Sequence, residues 1–117
     1  MVKRRHRLSR SRDFDAVYRH GRSTATRFLV LYSFPRPEAD GEGPRLGLAV
    51  SRALGGAVER NRLKRQLRAA FDEVVDSLSG DNDYVLIARP ALNEAADSRG
   101  LPWLTERVAE VFRKESS

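Results

Sequence analysis

Residues 58–78, VERNRLKRQLRAAFDEVVDSL, predict one amphipathic helix on which the rest of the fold depends. At about 100° per residue, the apolar side chains of this segment form one stripe, which predicts burial against other elements. The stripe consists of Leu63, Leu67, Ala70, Phe71, Val74 and Leu78. Arg62, Arg65 and Arg68 point the other way, so the helix presents a basic face opposite its core face.

The charges of this helix are ordered against its dipole. Five of the nine residues from Arg60 to Arg68 are basic, whereas Asp72, Glu73 and Asp76 occupy the second half. A helix dipole favours the reverse order by about 0.3–1 kcal/mol per charge near each end. A solvated charged face is the simpler interpretation, but the density of cations without neighbouring acids favours a surface that binds a polyanion.

Composition predicts one globular domain over residues 1–117, since 40% of the residues are hydrophobic and 32% are charged. Residues 1–68 hold 17 Lys or Arg against 6 Asp or Glu, while residues 69–117 hold 5 against 10. This asymmetry predicts a phosphate-bearing partner on one side of the molecule. An anionic membrane surface is the competing partner, but the apolar helix face is needed for the core.

The absence of cysteine excludes a disulfide framework, thiolate chemistry and a zinc finger. No apolar run reaches the roughly 18 residues that span a membrane. The basic N-terminus also lacks the apolar segment of a secretory signal. We therefore expect a cytoplasmic protein that does not enter a membrane, and no obligate protein partner is evident.

The remaining segments predict helices packed on a small sheet. Before the long helix come a flexible basic arm over 1–10, a helix over 11–20 capped by Ser11, and strands over 26–34 and 45–52 joined by a loop over 35–44. After it come a strand over 84–89, an irregular or helical segment over 91–101 and a final helix from Leu101. This order predicts an α+β fold, a two-layer α/β sandwich.

Two features leave open whether they serve packing or binding. Phe14, Val17 and Tyr18 share one face of the first helix, which suits either the core or a platform for unpaired bases. Gly47, Ala49 and Ser51 lie on a smooth face of the second strand. Such a face either packs closely against another element or receives a flat ligand.

The basic half offers no clustered acid–base or metal-binding constellation, so we expect no catalytic residues. His6 and His20 are far apart in sequence and flanked by arginines, which is typical of surface residues. The sequence contains no Walker loop and no GxGxxG. A self-sufficient nuclease is therefore disfavoured, whereas a ribosomal protein is an alternative with the same basic, cysteine-free composition.

Residues 51–68, SRALGGAVERNRLKRQLR, resemble the signature of the bacterial ribonuclease P protein subunit. That family shows a basic loop ending in Gly-Asn-Ala-Val, then Arg-Asn-Arg, a variable residue, Lys-Arg and a further Arg. The positions that match in spacing and type are Arg60, Asn61, Arg62, Lys64, Arg65 and Arg68. The resemblance extends to DF, VY and Gly within residues 13–21 and to RLGLAVS at 45–51, and it fades after about residue 90.

The resemblance implies a protein that assists a catalytic RNA in removing the 5′ leader of precursor tRNA. The chain would be the protein component of a ribonucleoprotein endonuclease, with Mg²⁺ held mainly by the RNA partner and the substrate. The implied fold has the order αβββαβα, with a small mixed sheet and a left-handed βαβ crossover. General packing rules alone predict a right-handed crossover.

The resemblance also implies two binding surfaces. The residues implied to bind the catalytic RNA are Arg52, Arg60, Asn61, Arg62, Lys64, Arg65 and Arg68. The residues implied to form the cleft for the single-stranded leader are Phe14, Tyr18, Tyr32 and Ala49. Two positions depart from the family pattern: Gly56 replaces the usual Asn, and Ala53 stands where a second basic residue is common. We therefore expect one capping contact and one loop–phosphate contact to be missing.

Overall fold

The structure, a computed structural model, describes residues 7–8, 10–36, 43–78 and 80–116, apart from the side chains at 93, 94 and 96–98. Most of the arm predicted over 1–10 and of the loop predicted over 35–44 therefore lies outside the described residues. The elements in chain order are α1 (Ser11–His20), β1 (Arg22–Ala25), β2 (Leu29–Pro35), β3 (Arg45–Ala49), α2 (Ala57–Val74), β4 (Asn82–Ala88) and α3 (Pro90–Ser116). The predicted order αβββαβα is confirmed.

The four strands form one mixed sheet in the order β1-β2-β4-β3. The pairs β1–β2 and β2–β4 are antiparallel, whereas β3 and β4 run parallel as neighbours. Parallel neighbours need a crossover connection, and α2 supplies it. The α+β fold with a small mixed sheet is thus confirmed, while the left-handed sense of the crossover stays a prediction.

Helices α2 and α3 pack on one face of the sheet and bury the main core. Of the stripe predicted on the long helix, Leu63, Leu67, Ala70 and Phe71 are buried, and the remaining two members, Val74 and Leu78, pack partly buried against them. Burial of each large side chain contributes about 1.5–3 kcal/mol. The core face of α2 is therefore buried within the fold, and its opposite face is available for contacts with other molecules.

Helix α1 packs on the other face of the sheet, where Val17, Leu8 and Val85 form a smaller buried cluster. An ion-pair network fixes one end of this layer. Asp83 is 3% exposed and accepts two hydrogen bonds of 2.7 Å from Arg45 and one of 2.9 Å from Arg36. Arg45 also approaches Asp13 of α1 at 3.8 Å, so the network ties the first helix to the sheet.

The structure corrects the predicted start of the sheet. Residues 22–25 form β1, which pattern reading had missed, and the strand predicted over 26–34 begins only at Leu29. β1 is an edge strand of polar, mostly exposed residues, so it carries no apolar alternation. Thr26 turns the chain between the two strands, with its hydroxyl oxygen accepting the N–H of Leu29 at 3.3 Å.

Helix ends were predicted less well than helix cores. The predicted cap at Ser11 is wrong, because Arg10 occupies the N-cap position, and the Arg10 side chain makes no capping hydrogen bond. The long helix ends its α-helical part at Val74, and a 3-10 turn covers Val75–Ser77. α3 is two helical segments joined at Gly100, whose φ of 79° is a conformation that glycine adopts readily.

Candidate nucleic-acid interface

Helix α2 presents the cations of residues 60–68 on the side away from the core. Asn61, Arg62 and Arg65 are exposed, and Arg60, Lys64 and Arg68 are half-buried. Arg65 has no ion-pair partner within the part of the chain that the structure describes. A helical face of this charge is a suitable surface for a phosphate backbone.

The N-terminus of α2 adds backbone donors to this face. Gly56 is the N-cap residue and, having no side chain, it makes no capping hydrogen bond to the first N–H groups of the helix, as expected from the missing Asn. Before it, the hydroxyl of Ser51 accepts the N–H of Ala53 at 3.1 Å and so begins a 3-10 turn over Arg52–Leu54. This turn holds the exposed Arg52 beside the start of α2.

The end of the N-terminal arm brings a further cation to the same face. Arg7 forms a parallel bridge with Leu46 on the outer edge of β3, and the N–H of Leu8 donates to Leu46 at 2.8 Å. Burial lowers the pKa of Arg68, and the nearby charge of Arg7 lowers it further. Arg7 therefore adds its charge to the electrostatic field around Arg68. The sequence indicated a basic arm but not its pairing with β3.

Helix α1 and the sheet enclose a row of aromatic rings. The ring centroids of Tyr18 and Tyr32 lie 5.1 Å apart at an interplanar angle of 90°, and those of Phe14 and Tyr18 lie 6.4 Å apart. Val17 is fully buried, Phe14 is half-buried, and Tyr18 is 40% exposed. The first helix therefore divides its apolar face between the core and an accessible edge, and the role of that edge in binding unpaired bases stays a prediction.

The smooth face of β3 is likewise part covered by α1 and part accessible. A Cβ atom at Gly47 would lie 2.5 Å from Cζ of Phe14, so this position is closely covered by α1. Ala49 lies two residues further on the same face and is half-exposed. The four cleft residues predicted by resemblance thus lie on one face of the sheet, with Phe14 as its packed end and Ala49 at its open end.

Two residues that were not predicted to belong to the cleft extend its floor. Ala49 pairs in register with Ile87, and Ile87 pairs with Val30 on β2. Ile87 and Val30 are partly buried and lie on the same face as Tyr32. The predicted strand YVLIAR, at residues 84–89, was the available signal for Ile87, because alternate side chains of a strand lie on opposite faces of the sheet. The cleft floor is therefore apolar and about three strands wide.

Tyr18 in the cleft is neutral at physiological pH. Burial raises the pKa of Tyr18 above its ordinary value, and Tyr32 raises it further. A neutral ring does not repel phosphate and can stack on any base, because every base has a π-face. The cleft is thus suited to an unpaired nucleic-acid strand.

The basic face of α2 and the aromatic cleft lie on opposite faces of the sheet and meet at β3. Because β3 is an edge strand, both surfaces are reached around one edge of the molecule. Ala49 at the cleft and Arg52 before α2 are only three residues apart. One nucleic-acid assembly can therefore contact both surfaces at once.

The described residues offer binding groups rather than an acid–base centre. His20 is exposed and lies 6.1 Å from the ring of Phe34, with ring centroids as the reference points. Asp83 is held by two arginines. Within the described ranges there is no group of three or more His, Asp or Glu that could hold a metal ion. None of the helices in those ranges combines the length and hydropathy needed to cross a lipid bilayer.

Comparison with known proteins agrees with this geometry. The profile of the Ribonuclease P family matches residues 2–114. The ribonuclease P protein component of Halalkalibacterium halodurans is 39% identical over 114 residues, which cover 96% of this chain and 94% of that protein. The one from Shouchella clausii is 48% identical over 88 residues, covering 75% of this chain and 70% of that protein.

Solved structures show the same fold. The RNase P protein of Staphylococcus aureus has a TM-score of 0.78 and 31% identity, covering 92% of this chain and 93% of that chain. The RNase P protein of Thermotoga maritima has a TM-score of 0.79 and 28% identity, covering 89% of this chain and 92% of that chain. This chain belongs to the ribonuclease P protein family, the protein component of a ribonucleoprotein endoribonuclease.

Proposed function

We propose that the chain binds the catalytic RNA of ribonuclease P through α2 and the single-stranded 5′ leader of precursor tRNA through the cleft under α1. The observation that carries this proposal is the junction of the two surfaces at β3, where Ala49 ends the cleft floor and Arg52 begins the basic surface. A protein placed there holds the leader beside the catalytic RNA. Removal of the leader then gives the mature 5′ end of the tRNA.

The cations of α2 are proposed to act by neutralising phosphates. Each neutralised phosphate releases condensed counterions, so the affinity for the catalytic RNA should fall steeply as salt rises. The residues proposed for this contact are Arg52, Arg60, Asn61, Arg62, Lys64, Arg65 and Arg68. Leader binding, by contrast, rests on stacking and phosphate contacts that carry little base identity. We therefore expect leaders of different sequence to bind with similar affinity.

The Mg²⁺ that leader removal needs is proposed to be held mainly by the RNA partner and the substrate. The candidate interface is rich in arginine, which repels a divalent cation, and no metal-binding cluster occurs in the described part of the chain. Neutralisation of phosphates by the protein reduces the concentration of Mg²⁺ required. The chain is further proposed to work in the cytoplasm, with precursor tRNA and the catalytic RNA as its partners.

The ribosomal-protein alternative loses its support, since the family profile and the curated relatives all belong to ribonuclease P. The proposed function is tested by binding to the complex of the chain with a bacterial ribonuclease P RNA. The complex should bind a leader-bearing precursor at least about tenfold more tightly than the RNA alone does. It should bind mature tRNA no more tightly than the RNA alone. An equal gain for both substrates would refute a leader contact.

A further inference from the structure

A second cluster of arginines and aromatic rings lies on the face of the sheet opposite the cleft. It lines a surface pocket of about 380 Å³ between the β1–β2 turn and α3. Phe28 and Trp103 pack there against the main core, with ring centroids 5.0 Å apart at 82°. Neither ring belongs to the cleft cluster around Val17 and Tyr32. The pocket is therefore separate from the surfaces assigned above.

Three guanidinium groups surround these rings. Arg27 lies 5.5 Å from the ring centroid of Phe28, and Arg99 and Arg107 lie 5.5 Å and 5.6 Å from that of Trp103. Arg27 and Arg99 are exposed, and no ion pair joins either to a carboxylate in the ranges that the structure describes. The described lining of the pocket contains three arginines and no carboxylate.

Only part of the hydrogen-bonding capacity of Arg107 is satisfied. The side chain of Arg107 is 24% exposed, and one of its terminal nitrogens approaches Glu110 at 3.6 Å. Its Nε is buried and has no hydrogen-bond partner among the described atoms. Leaving a charged donor buried without a partner is unfavourable. Because that nitrogen is inaccessible to solvent, a ligand in the pocket would contact the exposed part of the Arg107 side chain instead.

The position of the pocket connects it with the basic surface before α2. Leu29 pairs with Ala88, and Ala49 pairs with Ile87, so the β1–β2 turn and the end of β3 lie at the same end of the sheet. Arg89 lies at this end and donates to the carbonyl of Thr26 at 2.8 Å. Arginines thus continue across this end of the sheet from the β3–α2 connection to the pocket.

We propose that the pocket of Arg27, Phe28, Arg99, Trp103 and Arg107 binds an unpaired nucleotide of RNA, as a contact distinct from α2 and from the leader cleft. The guanidinium groups donate charge-assisted hydrogen bonds to a phosphate. The planes formed by arginine and tryptophan provide a stacking surface for its base. A lipid surface fits less well, since it requires bulky apolar residues exposed beside the cations.

Trp103 is the only tryptophan of the chain, so its fluorescence reports on this pocket alone. The full chain is titrated with a short single-stranded oligouridine, and in parallel with inorganic phosphate at the same phosphate concentration. We expect a saturable change in Trp103 emission with the oligonucleotide and at least about tenfold weaker response to phosphate, which offers no base to stack. An equal response to phosphate would overturn the assignment of an RNA nucleotide.

Substitutions separate this pocket from the other surfaces. Arg27→Gln and Arg99→Gln should each weaken the Trp103-reported binding about fivefold, because each removes one charge-assisted contact. Arg113→Gln is the matched control, an exposed arginine on the same helix whose guanidinium pairs with Glu106 at 3.0 Å, and it should leave this binding unchanged. Oligonucleotide binding detected by anisotropy of a labelled RNA without any Trp103 response would refute the proposal. So would a response that survives both substitutions.

Discussion

The ring of Phe14 covers Gly47 so closely that a Cβ atom at residue 47 would lie 2.5 Å from its Cζ and 2.7 Å from Cε1. This contact sets the distance between α1 and β3, and therefore the depth of the aromatic cleft. Glycine at this position is required by the approach of the ring rather than by its own backbone conformation, since its φ is not positive. The fold of the cleft thus depends on the absence of one methyl group.

Gly47→Ala should destabilise the chain by about 1–3 kcal/mol, the usual effect of overpacking a tight contact. Unfolding in urea, followed by Trp103 fluorescence, measures this change. Phe14→Leu in the same chain should recover part of the loss, because a smaller side chain accommodates the added methyl group. Additive effects of the two substitutions would show that the Phe14–Gly47 contact does not limit the packing.

Tyr18→Ala should weaken binding of leader-bearing precursor to the protein–RNA complex by about 1–3 kcal/mol, the range for loss of one stacked base. Tyr18 is a sharper probe than Phe14, since it is 40% exposed and contributes less to packing. Phe14→Ala should act in the same direction but also loosen α1. Tyr18→Phe keeps the ring and should bind normally. Equal losses for precursor and mature tRNA would assign Tyr18 to packing alone.

Arg65→Ala should weaken binding of the chain to the catalytic RNA and reduce the slope of log affinity against log salt by about 1. Arg65 is exposed on α2, so its removal should leave stability within about 0.5 kcal/mol. Arg113→Ala removes an exposed arginine elsewhere and serves as the control for net charge. Unchanged affinity of the Arg65 variant at physiological salt would remove this residue from the interface.

Asp83→Asn should destabilise the fold by about 3–5 kcal/mol, because it removes the buried carboxylate that pairs with Arg36 and Arg45, whose further carboxylates, Asp81 and Asp13, lie 3.6 and 3.8 Å away. The side chain of Arg36 is only 8% exposed, and that of Arg45 is 25% exposed. Urea unfolding measures the loss. Asp76→Asn, at an exposed position beyond α2, should change stability by less than about 0.5 kcal/mol. Equal effects at the two positions would show that the network has no structural role.

Stability should fall as the pH rises through the alkaline range, in part because of Tyr84. Burial raises the pKa of Tyr84, Glu115 raises it further, and the hydrogen bond from Asn82 at 3.1 Å opposes the shift. The folded phenol therefore keeps its proton where the unfolded one, with a pKa of about 10, begins to lose it. The stability that the neutral ring provides is complete below pH of about 10 and is lost above it.

Unfolding free energies measured from about pH 9 to pH 11 test this dependence. Tyr84→Phe removes the ionisable group and should flatten the alkaline loss. A smaller dependence of stability on pH should remain in that variant, because the pKa of Tyr18 is also raised. A variant that loses stability as steeply as the parent chain would exclude Tyr84 as a source.

Local periodicity was sufficient to predict α2, because its apolar stripe is dense enough to require burial on one side. It could not predict β1, whose exposed polar residues belong to a strand only through pairing with β2. The same limit applied to Ser11, since a capping preference in sequence does not fix where the first helical turn begins. Elements determined by their own side chains were predictable, and elements determined by a neighbour were not.

The candidate site shows the same division. The cations of α2 followed from spacing and from the resemblance, since they lie on one continuous helix. The role of Phe14 depended on Gly47, which is 33 residues away in sequence and is joined to it only by packing. Arg7 and Ile87 were not named for a similar reason: strand register, not local pattern, brings them to their surfaces.

The central claim is tested most directly by cleavage of a 5′-labelled precursor tRNA at low Mg²⁺, using a bacterial ribonuclease P RNA with and without this chain. We expect cleavage at the mature 5′ end only when the RNA and the chain are both present. Equal cleavage without the chain would contradict its role as a cofactor of the RNA. Cleavage by the chain without the RNA would contradict the assignment of the chemistry to the RNA.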